Sequence, residues 1–302
     1  MSKRTKQKRN VIILSTVSSG KSTLINSLIG KELMPSMNLA CTSKLITVSI
    51  NSRLKKEKAI LYDGINNYKK ISNCTLEEVV EFNNSNDFTR MDIESPMWSL
   101  KDMGKWICID DTPGVNNALD YSHKEITIKR LNELERGFIV YLINACSIGT
   151  DDDYEFLRSV IAIVNKSKKI KIIFVVNKMD EVNRTIEEPK ELLENVKVYI
   201  KNLGIDNPEI FPFSADASLL FRRALNGEKL SEVHSDRFYK YFKIFRERGY
   251  SLGKIAITNN RFNKDNYISV DDELYYKEDI YDALKNTGIN LIEKEIQNYI
   301  KQ

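Results

Sequence analysis

Val11-Ile12-Ile13-Leu14-Ser15-Thr16-Val17-Ser18-Ser19-Gly20-Lys21-Ser22-Thr23-Leu24-Ile25-Asn26-Ser27-Leu28-Ile29 reads as a short β-branched run, a loop of small residues and a helix of apolar period, in that order. Such a loop holds phosphate because successive backbone N–H groups and a helix amino terminus converge on its oxygens. A lysine adds a point charge and a serine or threonine ligates Mg²⁺. Lys21 and Ser22 fill those two roles, and Ser18, Ser19, Gly20 and Thr23 complete the cradle. Where the first glycine of the pattern is usual, this chain has Ser15, a residue small enough to be accommodated.

Outward from this stretch, further β-branched runs bounded by turns recur at 45–50, 107–109, 138–143, 170–176 and 210–213, separated by segments of helical spacing. Continuous rather than alternating apolar strands, with helices between them, predict an α/β fold. This is a doubly wound, mostly parallel sheet covered on both faces, with ligands at the carboxyl ends of its strands. Together with the phosphate loop this is the P-loop NTPase plan. Two segments interrupt the rhythm. Residues 51–105 read as an insertion between neighbouring strands, with a small helix announced by the capping box Thr75-Leu76-Glu77-Glu78. Residues 219–279 read as a helical insertion before a last helix starting near Asn290, where Asn290 with Glu293 gives a cap signal and Ile292, Ile296 and Ile300 a buried stripe.

Three more motifs sit at strand ends. Asp111-Thr112-Pro113-Gly114 follows Trp106-Ile107-Cys108-Ile109-Asp110 and is a DxxG element, in which Asp111 holds Mg²⁺ and the Gly114 N–H meets the γ-phosphate. Asp110 is the neighbouring carboxylate, but the spacing selects Asp111. Asn177-Lys178-Met179-Asp180 is an NKxD motif: an aspartate there accepts from the ring N1–H and exocyclic amine of guanine, a donor pair that adenine lacks. Ser214-Ala215 ends the next strand, as the element whose backbone supports the base carbonyl. In this order the motifs predict GTP, hydrolysed to GDP and phosphate.

The loop Ser18-Ser19-Gly20-Lys21-Ser22 resembles that of the bacterial dynamin-like family, which has serine three positions before the lysine. Gly30-Lys31-Glu32-Leu33-Met34-Pro35, Asp111-Thr112-Pro113-Gly114-Val115-Asn116, Tyr141-Leu142-Ile143-Asn144-Ala145 and Gly149-Thr150-Asp151-Asp152-Asp153 are similar to the same family. The likeness covers roughly residues 10–220, and Thr287-Gly288-Ile289 resembles the end of that domain. The resemblance implies a single GTPase domain over residues 1–302, with the first insertion after switch I. It makes Thr42, 21 residues beyond Lys21, the switch threonine, with Ser43 the weaker alternative. Val115 stands where Ras-like enzymes place the glutamine that orients the attacking water, and a valine cannot do that. In the family resembled, P-loop serine, switch threonine and a monovalent cation meet that absence, often across two facing GTPase domains. That casts Ser18 as a ligand of K⁺ or Na⁺ and a positioner of water, and Thr42 as a Mg²⁺ ligand and water orienter. Arg90 and Arg130 are available arginines but read as surface charges. His123, in the segment expected to move with nucleotide state, reads as structural or surface.

Composition excludes several classes. Of 302 residues, 42% are hydrophobic, enough to bury a full core, and 46 basic against 42 acidic side chains leave only +4, so no polyanion partner is demanded. Cys41, Cys74, Cys108 and Cys146 show no metal or disulfide spacing and read as cytoplasmic thiols. Residues 1–9 form a basic, frayed terminus without a signal-peptide cleavage site, and no run reaches transmembrane length. Family members that remodel membranes carry a long helical bundle and a membrane tip, for which fewer than a hundred residues after Ala215 are too few. The partners expected are GTP and GDP, with a nucleotide-dependent homodimer or a heteromer with another dynamin-like or helical protein. A membrane is reached only through such a partner. Two other classes compete. One is an Era-like assembly GTPase using the basic aromatic segment 237–254 on RNA or ribosomes; the other is a GTP-sensing subunit with little turnover. Helical spacing of Phe238, Tyr241, Phe242 and Phe245 argues for one buried face rather than an RNA platform.

Overall fold

The protein is represented by a computed structural model that describes residues 8–16, 18–36, 44–65, 67–96, 106–112, 121–134, 136–167, 169–182, 189–247, 251–252, 267–270 and 273–301. Its central strand β1 (Lys8–Ser15) leads through the phosphate loop into α1 (Lys21–Ile29). Val11, Ile12, Ile13 and Leu14 are all fully buried, so both faces of the sheet are covered here, as the continuous apolar run requires. On one side β1 pairs in parallel with β6 (Trp106–Asp111). On the other it pairs in parallel with β7 (Gly137–Asn144), followed by β8 (Ile170–Asn177) and β9 (Ile210–Pro212) in the same direction.

Beyond β6 the sheet changes character. β2 (Leu45–Ile50) runs antiparallel to β6, so the stretch between them does link neighbouring strands. It carries more than the expected helix. β3 (Lys58–Tyr62), β4 (Tyr68–Ile71) and β5 (Arg90–Ser95) extend the same sheet to the order β4-β3-β5-β2-β6-β1-β7-β8-β9. α2 (Leu76–Asn84) lies between β4 and β5 in the chain, and its capping box forms as anticipated, Thr75 N–H donating to the Glu78 carboxylate at 2.8 Å.

Helices flank both faces: α3 (Tyr121–Asn132), α4 (Asp151–Val164), α5 (Pro189–Asn202), α6 (Ala215–Leu225), α7 (Glu232–Phe242), α8 (Lys277–Asn286) and α9 (Ile289–Lys301). Register assigns several of them to a side. Asp111 pairs with Ile13, which pairs with Val140, so these share a face, while Asp110, Ile12 and Ile139 share the other. On the Asp111 face, α1 brings Ser22 to that carboxylate, and α9 stacks Tyr299 on Phe138 with centroids 5.3 Å apart. On the Asp110 face, α3 brings Arg130, and α4 packs Phe156 against Tyr141 at 6.1 Å.

The segment 219–279 is not purely helical. α6, α7 and a π-helical turn at Lys243–Glu247 are followed by an antiparallel pair, β10 (Tyr267–Val270) and β11 (Glu273–Tyr276), and then by α8. Phe238 and Phe245 are fully buried, and Phe221 meets both edge-on, at 5.5 and 6.5 Å. These rings form a core face and offer no platform for stacking bases. α9 begins at Ile289, directly after Gly288 at φ +88°, where an added Cβ would strike the Pro212 carbonyl. Glu293 does not cap this helix but pairs with Arg222, whose guanidinium also donates to the Ser27 carbonyl of α1. Among the described residues, no helix is long and apolar enough to cross a membrane.

Candidate functional site

The carboxyl ends of β1, β6 and β8 and the segment after β9 bring the sequence motifs together. Ser15 closes β1, and its hydroxyl donates to the Thr16 carbonyl at 2.7 Å and accepts from Lys21 Nζ at 3.3 Å. Among the described residues, positive φ outside glycine occurs at Ser18 and Lys178 and not at Ser15, so the missing first glycine imposes no strain. Gly20 does require glycine. Its φ is +93°, and a Cβ there would run into the Asn177 side-chain amide. Ser19 is buried and donates from Oγ to the Thr16 carbonyl at 3.0 Å, bracing the loop from within, while Ser18 is exposed at its tip. Thr23 is half-buried in the first turn of α1.

Strand alternation separates the two acidic residues of β6. Asp111 is fully buried and accepts from Ser22 Oγ at 3.4 Å across the top of the sheet. Hydroxyl and carboxylate thus face one another beside the lysine of the phosphate loop, a hard-oxygen pair suited to Mg²⁺ that keeps its remaining positions for phosphate and water. Among the described residues no group of three or more His, Cys, Asp or Glu could cage a metal. Of the residues expected to hold a monovalent cation, Ser18 lies exposed at the loop tip. Thr42, Ser43, Gly114 and Val115 lie outside the described residues, as does Cys41; α3 includes His123 in its first turn.

Asp110 points to the opposite face. It is fully buried, accepts from Thr47 Oγ1 at 2.8 Å, and takes both Nε and Nη2 of Arg130 at 2.8 Å each. Arg130 is therefore not a surface charge. It locks α3, the helix after DxxG, to β6 and, through Thr47, to the strand that follows Thr42. Removing it strands a buried carboxylate, so Arg130→Ala is expected to cost about 3–5 kcal/mol in urea unfolding. Adding Asp110→Asn to that variant should return most of the loss. Arg90, at the start of β5, instead forms an exposed two-pronged pair with Asp92 at 2.7 and 2.9 Å.

At the base end the structure gives Asn177 a task the motif alone does not reveal. Its amide donates to the Ser19 carbonyl at 2.8 Å, and its Oδ1 accepts from Ala215 N–H at 2.9 Å. Asn177 thus ties the phosphate loop to the Ser-Ala segment, with the Ala215 N–H engaged by it. The first-turn N–H groups of Asp216 and Ala217 follow at the amino terminus of α6, where helices leave donors open. Ser214 is held from the far end of the chain, its N–H donating to the Thr287 carbonyl at 3.1 Å. Lys178 sits half-buried at φ +65°. Asp180 follows it, its carboxyl pushed above the usual range by burial, with Ser214 pulling the other way.

Phosphate, metal and base ends thus lie along one edge of a single mostly parallel sheet, and the class they define is the P-loop GTPases, hydrolases acting on GTP. A family model described as "Dynamin family" matches residues 11–179, more than half of the chain, which therefore belongs to the dynamin family. Among characterised relatives, a bacterial dynamin-like protein of Nostoc punctiforme is 25% identical over 193 residues, covering 61% of this chain and 27% of its own length. The mitofusin FZO1 of Saccharomyces cerevisiae is 26% identical over 249 residues, covering 75% and 27%. An uncharacterised protein of Caldicellulosiruptor, encoded in the xynA 3′ region, is 26% identical over 291 residues, 96% of this chain and 68% of that one. A solved oligomerised bacterial dynamin pair, described as sensing and tethering membranes at long range, superposes with a TM-score of 0.54 at 19% identity. It covers 79% of this chain and 38% of the solved one, a likeness of fold. The chain thus spans about a quarter of the length of its two named dynamin-type relatives.

Proposed function

We propose that this domain binds GTP and hydrolyses it to GDP and phosphate, and that turnover rises when two GTPase domains face each other. The observation carrying the reading is the meeting of Ser22 Oγ and Asp111 Oδ2 at 3.4 Å beside Lys21, at the end of the sheet where Asn177 joins the phosphate loop to the base segment. Lys21 swings from Ser15 Oγ onto the β- and γ-phosphates, and the loop and α1 amino terminus from Ser18 to Thr23 cradle them. Mg²⁺, when bound by Ser22, Thr42 and Asp111, supplies charge neutralisation at the phosphates. Asp180 accepts from N1–H and the amine of guanine, and the α6 amino terminus with Ser214 and Ala215 carries the base carbonyl. Thr42, Ser18 and the Gly114 N–H then position the water and the γ-phosphate.

Val115 has no group with which to orient water, so the isolated domain is a slow enzyme completed by a second copy or by another dynamin-like or helical protein. Support comes from the family, whose solved bacterial pair is oligomerised. A membrane would be reached through such a partner. The expected result is a turnover per molecule that rises with protein concentration, and a doubling of particle mass with GDP and aluminium fluoride that GDP alone does not give. Turnover independent of concentration by a strictly monomeric protein would rule out the paired mechanism. Running the assay in potassium and in sodium buffers decides whether a monovalent cation takes part.

A further inference from the structure

The base end of the site holds a second carboxylate that the guanine reading does not use. Asp216 follows Ala215 in the first turn of α6, and the bonds from Met179 N–H to the Phe213 carbonyl at 3.2 Å and from Ala215 N–H to Asn177 Oδ1 at 2.9 Å lay this turn beside the NKxD loop, where its charge acts on Asp180. Two side chains from α7 close on it. Arg237 Nη1 approaches Asp216 Oδ2 at 2.9 Å, and the Tyr241 hydroxyl donates to the same oxygen at 2.8 Å. Tyr241 is buried, and its phenol is held strongly protonated by burial first and then by the charges of Asp180 and Asp216. The phenol therefore remains a donor at every working pH.

Two like-charged carboxylates at one site disfavour each other's ionisation. Guanine recognition needs Asp180 ionised, and burial already works against that. The groups acting on Asp180 are Glu181 on its own loop, Asp216 and Ser214 from the α6 side, Tyr241 from α7 and Cys146 from the loop after β7. Of these, Asp216 is the one carrying its own counter-ion from another helix. Arg237 and Tyr241 lie on α7, on neither the motif strands nor the phosphate loop.

We propose that Arg237, with Tyr241, is a positioning residue for guanine recognition: it neutralises Asp216 so that the adjacent Asp180 can serve as the ionised acceptor of the base. This rests on the assignment of Asp180 to guanine. Arg237→Ala is then expected to weaken GDP binding about tenfold, through the charge released beside Asp180. Arg237→Lys should restore it, and so should Asp216→Asn in the Arg237→Ala background, because an asparagine leaves no charge to neutralise yet still accepts from Tyr241.

Fluorescent GDP is the probe, titrated against wild type, Arg237→Ala, Arg237→Lys, Asp216→Asn, the Arg237→Ala and Asp216→Asn pair, and Asp180→Ala. Asp216→Asn alone should bind GDP at least as tightly as wild type, which keeps the test open if Arg237→Ala fails to fold. The inference is overturned if Arg237→Ala binds like wild type, if Asp216→Asn fails to rescue it, or if Asp216→Asn alone loses affinity tenfold. Undiminished GDP binding by Asp180→Ala would instead remove the guanine assignment itself.

Discussion

Asp180→Asn is expected to exchange the nucleotide the protein selects, from guanine to xanthine. On the proposed assignment, the wild-type carboxylate at the end of the NKxD loop faces two donors on guanine, N1–H and the exocyclic amine. An asparagine presents one acceptor and one donor, so its amide N–H₂ meets the guanine amine head-on and leaves both unpaired in a half-buried site. Loss of GDP affinity by about 10³- to 10⁴-fold follows from two mismatched polar groups in such a pocket. Xanthine carries a carbonyl where guanine carries the amine, and that carbonyl accepts from the new amide. Fluorescent-nucleotide titrations with GDP and xanthosine diphosphate measure both halves of the exchange. The variant should fold normally, because the backbone of the base segment is held by Asn177 and Thr287 rather than by Asp180.

Lys21→Ala is expected to reduce GTP turnover by about a hundredfold to a thousandfold, the scale for losing one preorganised charge at the transferring phosphoryl group. Lys21 is buried at the start of α1 with its ammonium against Ser15, within the loop that must cradle the phosphates. Its removal leaves the phosphates without a protein side-chain charge from the loop. Phosphate release measured against ATP as a control separates this effect from contaminating activity. Binding of GDP should fall less than turnover, since a charge that grips the γ-phosphate acts most strongly where negative charge is being redistributed.

Much of this site could be read in the sequence, because its parts are local. A strand, a glycine-punctuated loop and a helix start are neighbours in the chain, so the phosphate loop, Asp111, Asp180 and Ser214 appear as short motifs at the ends of apolar runs. The sheet core was readable for the same reason: Val11–Leu14 and 138–143 are continuously apolar and lie in strands buried on both faces.

What stayed hidden depends on contacts distant in sequence or on weak strand signals. Lys58–Tyr62 and Tyr68–Ile71 are short, partly exposed strands, and Arg90–Ser95 alternates buried with more exposed residues, so only pairing, of β5 with β2 and β3 and of β3 with β4, reveals them as sheet. Arg130 reads as a solvated charge on its helix, and only the register of β6, which turns Asp110 away from Asp111, provides its partner 20 residues earlier. In the same way Asn290 and Glu293 have the spacing of a cap, yet Glu293 is drawn across to Arg222 71 residues away, and the sharp turn at Gly288 starts the helix instead. Asp216 could have been suspected from its place after Ser-Ala, but its counter-ion Arg237 lies 21 residues on, in what reads as an aromatic core helix.

If one site both selects guanine through Asp180 and hydrolyses the nucleotide bound there, changing Asp180 changes which triphosphate is hydrolysed. The most direct test is phosphate release by wild type and Asp180→Asn, each given GTP and xanthosine triphosphate in turn. A crossed result is expected, with wild type turning over GTP and the variant turning over xanthosine triphosphate. Hydrolysis of GTP by both proteins at equal rates would contradict it.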